Sequence, residues 1–328
     1  MDVFVTGGSG FVGGAVIRAL LEAGARVRAM SRSPQSDAKL ALLGAEPVRC
    51  SLDGVAAADV EGAEAVVHCA AYVEAWGPLS AYWNANVEGT RRMLEAARAA
   101  GVGRFVHIGT EAALFHGQPM KDVDETEPLA LNSPYYYSRT KAHAERAVLQ
   151  AHGPDFATMS LRPRLVWGPG DQTVGPVIKQ MAAKGAFSWI GGGKSLTSTC
   201  HVDNLAHAVM LAIERGEGGQ AYFVTDGPPV TVRDFLTAYL GAQGVDLSKS
   251  RSIPTPVAGA VAFTGEALWR TLGLPGEPPV TRFAADTMSR ECTVSDAKAR
   301  ARIAYRPVLS REEGLAALTE VFDPPSVR

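Results

Sequence analysis

The chain has 328 residues, of which 46% are hydrophobic and 20% are charged, and its formal net charge is −2. This length is enough to bury a sizeable core in one large domain or in two. The near-neutral charge excludes a strongly basic surface, so we expect no nucleic-acid partner.

The cysteine usage and the apolar runs indicate where the protein works. The four cysteines (Cys50, Cys69, Cys200 and Cys292) are far apart and form no CxxC pair. We therefore expect neither a metal site nor a disulfide framework, and we expect a reducing, cytoplasmic location. The first strand-like run begins at Val3, so we expect no signal peptide. No uncharged apolar run reaches the roughly 18 residues of a transmembrane helix.

The first half of the chain alternates strand-like runs with helical patterns. The predicted strands cover residues 2–7, 25–31, 46–50, 64–70 and 104–110, and the predicted helices between them cover 11–25 and 82–101. This alternation is typical of an α/β fold with a doubly wound parallel sheet. Glycine and proline become frequent beyond about residue 165. We predict a first domain over 1–165 and a smaller, mainly substrate-binding domain over 166–328, with some segments returning to the first.

The turn after the first predicted strand, TGGSGFVGG, carries Gly7, Gly10 and Gly13 three residues apart, with Phe11 and Val12 between the last two. The first glycine permits a tight turn, the second permits close approach of a pyrophosphate, and the third lets the helix pack on the strand. The helix that follows presents its N-terminal amides to the phosphates. The position between strand and helix favours a dinucleotide site of the Rossmann type over a structural turn.

The second predicted strand bears on the choice of coenzyme. An acidic residue about 20 positions past the glycines would bind the ribose 2′-hydroxyl of NAD, whereas an arginine accepts the 2′-phosphate of NADP. No acid occurs between residues 23 and 36, but Arg32 lies there, flanked by Ser31 and Ser33. A guanidinium with two neighbouring hydroxyls suits a phosphate. We therefore predict NADP as the cofactor, with NAD as the alternative.

The segment SPYYYSRTK (133–141) sets three tyrosines ahead of Lys141. Ser133 is a favourable N-cap and Pro134 a favourable first helical residue, so we predict a helix that begins there. On this helix only the third tyrosine, Tyr137, lies four residues before the lysine and shares its face. We interpret the two preceding tyrosines as packing or pocket-wall residues.

A lysine beside a tyrosine can make the phenol a useful acid–base catalyst. A free phenol has a pKa near 10. An ammonium about 4 Å away, at an effective dielectric of about 20, contributes about 4 kcal/mol, or roughly three pKa units. We therefore predict that Lys141 lowers the pKa of Tyr137, which then gives a proton to a carbonyl oxygen. Thr110, at the end of the fifth predicted strand, is placed to hold that oxygen.

Several motifs in order resemble the extended short-chain dehydrogenase/reductase family. They are TGGSGFVG, HCAA, NVEGT, HIGT, YSRTK and RPRLVWGPGD. Two later segments, HVDNLAHAVMLA and GQAYFVTDG, are similar to the 3β-hydroxysteroid dehydrogenase branch of that family. The resemblance implies a Rossmann fold and an NAD(P)-dependent oxidoreductase that acts on CH–OH groups.

The same resemblance implies roles for single residues. The catalytic set that it suggests is Asn86, Thr110, Tyr137 and Lys141. Lys141, like Tyr137, would also contact the cofactor, by bonding the nicotinamide ribose. Ala70 and Ala71 would line the cofactor, and Pro163 would flank the nicotinamide. A homodimer through helices near 79–100 and 135–152 is also implied.

Three functions stay open at this point. The first is a dehydrogenase or reductase of a hydrophobic, sterol-like substrate. The second is a nucleotide-sugar epimerase or dehydratase, which would need cations for a diphosphate, although basic residues are sparse over 172–247. The third is a non-catalytic dinucleotide sensor, whose relatives tend to lack the tyrosine–lysine pair.

Other polar residues have more ordinary interpretations. His68 and His107 lie in apolar strands and are interpreted as core histidines. His201 precedes a predicted helix, so a structural role there is weighed equally against substrate contact. Glu111 faces either substrate or solvent. The acidic stretch 121–127 is interpreted as a solvated loop.

The segment PTPVAGAVAFTGEALWRTLGLP (254–275) predicts a helix whose apolar residues recur at helical spacing. They are Val257, Val261, Leu268 and Leu272. Two interpretations are equally weighted: a helix that packs the core of the second domain, and an apolar lid over the substrate. The lid would leave peripheral contact with a membrane surface open.

Overall fold

The computed structural model describes residues 1–322 of the chain. Its strands, in chain order, are β1 (Asp2–Thr6), β2 (Arg26–Ser31), β3 (Glu46–Arg49), β4 (Ala65–His68), β5 (Arg104–Ile108), β6 (Met120–Val123), β7 (Ala157–Pro163), β8 (Val166–Trp167), β9 (Ser188–Ile190), β10 (Leu196–Thr197), β11 (Cys200–His201), β12 (Gln220–Val224), β13 (Val230–Thr231), β14 (Arg251–Ile253) and β15 (Cys292–Val294).

Its α-helices, in chain order, are α1 (Phe11–Glu22), α2 (Pro34–Leu43), α3 (Leu79–Tyr82), α4 (Gly89–Ala99), α5 (Tyr136–Gln150), α6 (Val174–Ala183), α7 (Val202–Arg215), α8 (Val232–Gly241), α9 (Thr255–Leu272), α10 (Arg282–Ser289), α11 (Ala297–Arg302) and α12 (Arg311–Phe322). A π-helical segment, Trp83–Glu88, joins α3 to α4, and a 3₁₀ helix, Glu111–Leu114, follows β5. Within residues 1–322 no helix has the length and hydrophobicity needed to cross a membrane.

Seven strands form the central sheet in the order β3-β2-β1-β4-β5-β7-β12. Every neighbouring pair in it is parallel. The predicted strands of the first half are all present, each beginning within one residue of its predicted start. The α/β fold with a doubly wound parallel sheet is therefore confirmed. The strand order reverses between β1 and β4, where such sheets bind their ligands.

Helices cover both faces of this sheet. Val3 and Val5 of β1 belong to one apolar cluster, against which α1 and α7 pack, and Phe4 between them belongs to a second cluster beneath α4 and α5. This alternation follows from the two-residue period of a strand. The edge at which the strands end is thereby left for ligands.

The C-terminal half contributes to two regions. One part returns to the central sheet, because β12 pairs with β7 and α7 packs against α1. The rest supplies three strands of a four-stranded sheet, β13-β10-β15-β6, whose fourth strand β6 comes from the first half, and it also forms two two-stranded sheets. Large aromatic residues fill the core of that region, among them Trp167, Trp189, Phe235 and Tyr239.

The stretch 121–127 is not wholly a loop as predicted, because its first three residues belong to β6 and pair with β15.

Helix α5 begins later than predicted. Ser133 is not its N-cap, because Tyr135 occupies that position; the Ser133 hydroxyl donates to the Phe115 carbonyl oxygen at 2.8 Å and accepts from the Tyr135 amide at 3.3 Å. The chain stays extended at Tyr135 (φ −91°, ψ 121°), and the helix starts at Tyr136. Tyr137 therefore lies in the first turn of α5, and Lys141 lies one turn later.

Helix α9 has the predicted bounds, but its larger apolar side chains face away from the core. Its residues Val257, Val261, Leu268 and Leu272 are between 47% and 63% exposed. The buried residues of α9 are Ala258, Ala262 and Glu266. The interpretation of α9 as a helix that packs the core through those four apolar residues is therefore wrong.

Candidate active site

The glycine-rich turn between β1 and α1 has the shape that a dinucleotide needs. Gly7 has φ +68°, in the left-handed region that glycine adopts without strain. A Cβ at Gly7 would lie 2.8 Å from a backbone nitrogen beyond β4, and a Cβ at Gly13 would lie 2.3 Å from the Gly7 carbonyl oxygen. No side chain caps α1 after Gly10, so the amides around Phe11 and Val12 remain available for a pyrophosphate. The turn fits the coenzyme.

The end of β2 and the residues after it surround one exposed cation, Arg32. The Ser31 hydroxyl donates to the Ser33 carbonyl oxygen at 3.2 Å, and the Ser33 hydroxyl caps α2 by accepting from the Ser36 amide at 3.2 Å. Both serine hydroxyls thus have local partners. Arg32 between them is exposed and makes no hydrogen bond or ion pair with any residue of the described range 1–322. Its guanidinium is free to bind a phosphate.

The segment after β4 is held in place by Asn86, which lies in the π-helical segment. The Asn86 Oδ1 accepts from the Tyr72 amide at 2.7 Å, and its Nδ2 donates to the Tyr72 carbonyl at 3.1 Å and to the Thr140 hydroxyl at 3.2 Å. Asn86 makes no hydrogen bond to the predicted catalytic tyrosine or lysine. It connects the segment of Ala70 and Ala71 to α5, and both alanines are partly buried.

Tyr137 lies between a hydroxyl and an aromatic ring. The Thr110 hydroxyl lies near its phenol, where it acts to lower the pKa of Tyr137. Its ring packs edge-on against Phe283 of α10, with ring centroids 5.8 Å apart. Thr110 comes from the residues after β5 and Tyr137 from α5, so these two elements bring the predicted pair together.

Lys141 is buried behind the same strand end. Its Nζ donates to the Ile108 carbonyl oxygen at 2.7 Å and lies 3.2 Å from the His107 Nε2. Burial lowers the pKa of Lys141 to about 8, while the charges of Glu145 and Cys69 act in the opposite direction. The ammonium is therefore engaged with β5 and is less stable than a solvated one.

The phenol of Tyr137 has a pKa above its ordinary value, and the prediction that Lys141 lowers it is wrong for this arrangement. Burial is the largest cause, and the negative charge of Glu111 is the second, while the hydrogen bond with Thr110 acts against both. The physical reason is that the Lys141 ammonium faces β5. Tyr137 is therefore protonated over the whole neutral range.

The two tyrosines before Tyr137 make packing contacts. The Tyr135 hydroxyl hydrogen-bonds the Asp286 carboxylate, and its ring stacks on Phe115 at 5.5 Å. The Arg270 guanidinium lies 4.9 Å above the Tyr136 ring. Both rings join α5 to the C-terminal half.

A buried ion pair lies beside Thr110. The Glu111 Oε2 accepts a hydrogen bond from the Thr110 hydroxyl at 2.7 Å. The Glu111 Oε1 pairs with the Arg164 guanidinium at 2.5 Å. Arg164 follows Pro163, the buried last residue of β7. The sequence left the direction of Glu111 open and did not identify Arg164.

The histidines near the site are structural. His68 is buried between the Thr6 hydroxyl at 2.8 Å and the Thr90 hydroxyl at 3.0 Å, and burial lowers its pKa to about 3. His107 is likewise buried, as predicted for a core histidine. His201 caps α7, its ring nitrogen accepting from the backbone amide two residues later at 3.2 Å.

Comparison with known proteins adds a family and close relatives. A model of the 3-beta hydroxysteroid dehydrogenase/isomerase family matches residues 4–255. The 4-hydroxy-2-methyl-3-oxo-4-farnesyl-3,4-dihydroquinoline-1-oxide ketoreductase of Stigmatella aurantiaca is 41% identical, over 98% of this chain and 96% of its own. The 2-alkyl-3-oxoalkanoate reductase of Stenotrophomonas maltophilia is 36% identical, over 97% of this chain and 98% of its own.

A solved structure supports the fold. A double mutant of the dTDP-glucose 4,6-dehydratase of Streptomyces venezuelae, solved with NAD bound, superposes with a TM-score of 0.76 over 99% of this chain and 98% of its own. The two sequences are 22% identical, and at that level the likeness shows a common fold.

Proposed function

The chain belongs to the 3-beta hydroxysteroid dehydrogenase/isomerase family, and from this premise we propose that it reduces the carbonyl group of a hydrophobic molecule with NADPH. It is an NAD(P)-dependent oxidoreductase that acts on CH–OH groups. The observation that carries the proposal is the contact between Tyr137 and Thr110, one helical turn from Lys141, at the carboxyl edge of the parallel sheet.

The residues divide the chemistry as follows. When bound, the coenzyme supplies the hydride that the carbonyl carbon gains, and it is oxidised in the process. Tyr137 gives its phenol proton to the carbonyl oxygen, which completes the alcohol. Thr110 lies near that phenol, and Lys141 would hold the nicotinamide ribose. Asn86 holds the segment of Ala70 and Ala71 in place through two hydrogen bonds with the Tyr72 backbone.

The coenzyme would be held along the strand ends from β2 to β7. Gly7, Gly10 and Gly13 leave room for the pyrophosphate, and Arg32 is the ligand for a 2′-phosphate. Ala70 and Ala71, as well as the buried Pro163, line the nicotinamide half. The choice of NADP over NAD rests on Arg32, whose guanidinium has no protein partner within the described part of the chain.

The substrate is proposed to be apolar. Tyr137 is packed against Phe283, and Phe115 and Tyr135 continue the same aromatic group. The ketoreductase relative is named for a farnesylated quinoline oxide and the other relative for 2-alkyl-3-oxoalkanoates. A sterol-like ketone is a further member of this class. The chain's likeness to a nucleotide-sugar dehydratase is one of fold, and Arg164, a buried cation of the candidate site, already pairs with Glu111.

The test is a panel of ketosteroids, long-chain 3-oxo compounds and short ketones, each offered with NADPH and with NADH. Consumption is followed at the nicotinamide absorbance. We expect turnover of the large apolar ketones with NADPH. No turnover of any carbonyl or alcohol with either coenzyme would contradict the proposal.

We also propose a cytoplasmic homodimer through α4 and α5, which peripheral contact of α9 with a membrane would not prevent. Sedimentation equilibrium tests the dimer, and fractionation of the cells tests the location. A monomer at micromolar concentration would contradict the proposed homodimer.

A further inference from the structure

The ammonium of Lys141 is fixed by two neighbouring residues of β5. Its Nζ donates to the Ile108 carbonyl oxygen at 2.7 Å and lies 3.2 Å from the His107 Nε2. An ammonium has three N–H donors and no acceptor. Two of these donors are therefore directed at β5, and within residues 1–322 the third has no protein partner. That third donor is the one left for a ligand.

The ammonium determines which nitrogen of the His107 ring carries the proton. Because Lys141 can only donate, the His107 Nε2 must accept, and a neutral ring then carries its proton on Nδ1. The opposite tautomer would direct an N–H group at the ammonium. Burial lowers the pKa of His107 well below its ordinary value, and Lys141 and His68 lower it further, so the ring is neutral at pH 7.

The other ring nitrogen of His107 is held under unfavourable conditions. Its Nδ1 is buried and has no hydrogen-bond partner among residues 1–322. A buried N–H group without an acceptor destabilises the fold, whereas an apolar side chain of similar shape at the same position would not. A ring needed only for packing does not account for this. An unpaired Nδ1–H is accounted for if the Nε2 performs a task that an apolar side chain cannot perform.

The other titratable groups around Lys141 do not replace His107 as an acceptor. On α5, Glu145 acts on Lys141 by its charge, but its carboxylate is hydrogen-bonded to two side chains of β7. After β4, the thiol of Cys69, whose pKa burial raises to about 12, is a weak acceptor. On β4, the His68 ring lies between two threonine hydroxyls. The side-chain acceptor that reaches the ammonium is therefore the His107 Nε2.

We propose that His107 is a positioning residue for Lys141: its Nε2 accepts one ammonium proton and, together with the Ile108 carbonyl oxygen, leaves a single donor of Lys141 for the ribose of the coenzyme. This inference rests on the proposed binding of a nicotinamide coenzyme and adds a residue to it. It implies that His107 stabilises the charged form of Lys141, because a hydrogen bond to the charged form of a group favours that form. Lys141 should therefore lose its proton at a lower pH when the acceptor is removed.

The first measurement needs neither coenzyme nor substrate. Nitrogen NMR of the protein with isotope-labelled histidine distinguishes a protonated from a bare ring nitrogen, and the signals of His107 are those that His107→Gln lacks. At pH 7 we expect a protonated Nδ1 and a bare Nε2 in the parent protein. A proton on the Nε2 overturns the proposal.

Lys141→Met provides the control for this spectrum. The substitution removes the donor, so the Nε2 signal of His107 should move. The signals of His68 should change far less, since that ring is also buried but bonds hydroxyls and not the ammonium. An Nε2 signal of His107 that stays in place in Lys141→Met would equally overturn the proposal.

Two substitutions at position 107 separate positioning from packing. The amide of His107→Gln reaches about as far as the Nε2 and keeps an acceptor for Lys141, whereas His107→Leu fills the position with an apolar side chain. NADPH binding is followed by nicotinamide fluorescence between about pH 6 and pH 9. We expect His107→Leu to bind NADPH at least about tenfold more weakly and to lose binding at a lower pH than the parent protein. His107→Gln should stay within a few-fold of the parent protein.

Equal affinities of His107→Leu and His107→Gln for NADPH at every pH overturn the proposal, because packing alone would then explain His107. If His107→Leu does not fold, the histidine spectrum of the parent protein still decides between the two tautomers. A parent protein that binds neither NADPH nor NADH would instead contradict the proposed function. The spectrum tests the role of His107 without either coenzyme, so the two failures can be told apart.

Discussion

Lys141, for which we propose a role in catalysis, is a buried cation that lowers the stability of the fold. Its side chain is 2% exposed, and burial holds its pKa near 8 instead of the ordinary 10.5. The unfolded chain therefore binds more protons than the folded one between these two pH values, so this residue destabilises the fold below pH 8 and ceases to do so as the pH rises. The difference of about 2.5 pKa units corresponds to at most about 3 kcal/mol.

We expect Lys141→Met to raise the free energy of unfolding of the coenzyme-free protein at pH 7, since it removes the buried charge and keeps most of the volume. The gain should shrink steadily between pH 8 and pH 10, because the parent lysine loses its charge there. Urea denaturation at several pH values measures the gap. A gap that stays constant over this range would contradict the assignment.

Arg32 is the residue that we propose to set the choice of coenzyme. We expect Arg32→Ala to lower kcat/KM with NADPH by at least about tenfold, because a charge-assisted hydrogen bond to the 2′-phosphate is lost. The value with NADH should change little. Arg26→Ala is the control, because Arg26 begins the strand that Arg32 follows but pairs with Asp2 and Glu46. A parent enzyme that prefers NADH would show that Arg32 has another role.

For single residues, the sequence predicted which side chains lie close together, but it did not predict their hydrogen-bond partners. The spacing of Tyr137 and Lys141 placed both on one face of α5, and Thr110 was expected at the end of β5. The engagement of the Lys141 ammonium with the Ile108 carbonyl has no signal in helical spacing, because it depends on a neighbouring strand. The Glu111 pair with Arg164 likewise depends on β5 and β7 becoming neighbours.

At the scale of elements, α9 shows that an amphipathic pattern gives a helix but not its partner. The small residues Ala258 and Ala262 face the protein, and the larger apolar residues Val261 and Leu268 face outward. The contact is completed by Glu266, which accepts from the Arg282 amide at 2.7 Å and from its guanidinium at 2.9 Å. A buried carboxylate that satisfies the first turn of α10 therefore joins α9 to the helix that carries Phe283.

This arrangement predicts that one substitution in α9 changes the free energy of unfolding strongly and that another changes it little. Glu266→Ala should lower the free energy of unfolding by about 2 kcal/mol, because Arg282 loses its partner and is only partly solvated. Val261→Ser should change it by less than about 0.5 kcal/mol, since the side chain is exposed. Chemical denaturation of both variants measures the difference. A larger loss for Val261→Ser would mean that α9 packs through its apolar side after all.

Elements with local signals were predicted well, and elements that depend on distant contacts were not. The glycine-rich turn fixes the end of β1 and the start of α1 through backbone geometry; α1 starts at the predicted Phe11, and β1 ends at Thr6, one residue before its predicted end. Helix α5 starts at Tyr136, and the Ser133 hydroxyl before it binds the Phe115 carbonyl, a contact 18 residues away that has no local signal. Strand β6 within the acidic stretch forms because β15, far along the chain, pairs with it.

At the scale of the whole molecule, the site lies where the central sheet meets the C-terminal half. The strands from β1 to β7 supply the glycine turn, Thr110 and Arg164, while α10 supplies Phe283 and a carbonyl that fixes Arg164. The chain order could not show this, because β12 and α7 return to the sheet after the C-terminal half has begun. We therefore expect the central sheet to supply the chemistry and α10 to supply substrate contact, and Arg164 joins the two through its hydrogen bond to the Thr287 carbonyl oxygen.

The measurement that tests the central claim most directly is NADPH consumption with a bulky apolar ketone by the parent enzyme, Tyr137→Phe and Tyr136→Phe. Tyr137→Phe removes only the proposed proton donor, so we expect kcat to fall by at least about 10²-fold while NADPH still binds, as nicotinamide fluorescence would report. Tyr136→Phe should stay within a few-fold of the parent enzyme, because the Tyr136 ring contacts Arg270 through its face. A Tyr137→Phe variant that keeps the parent rate would contradict the account.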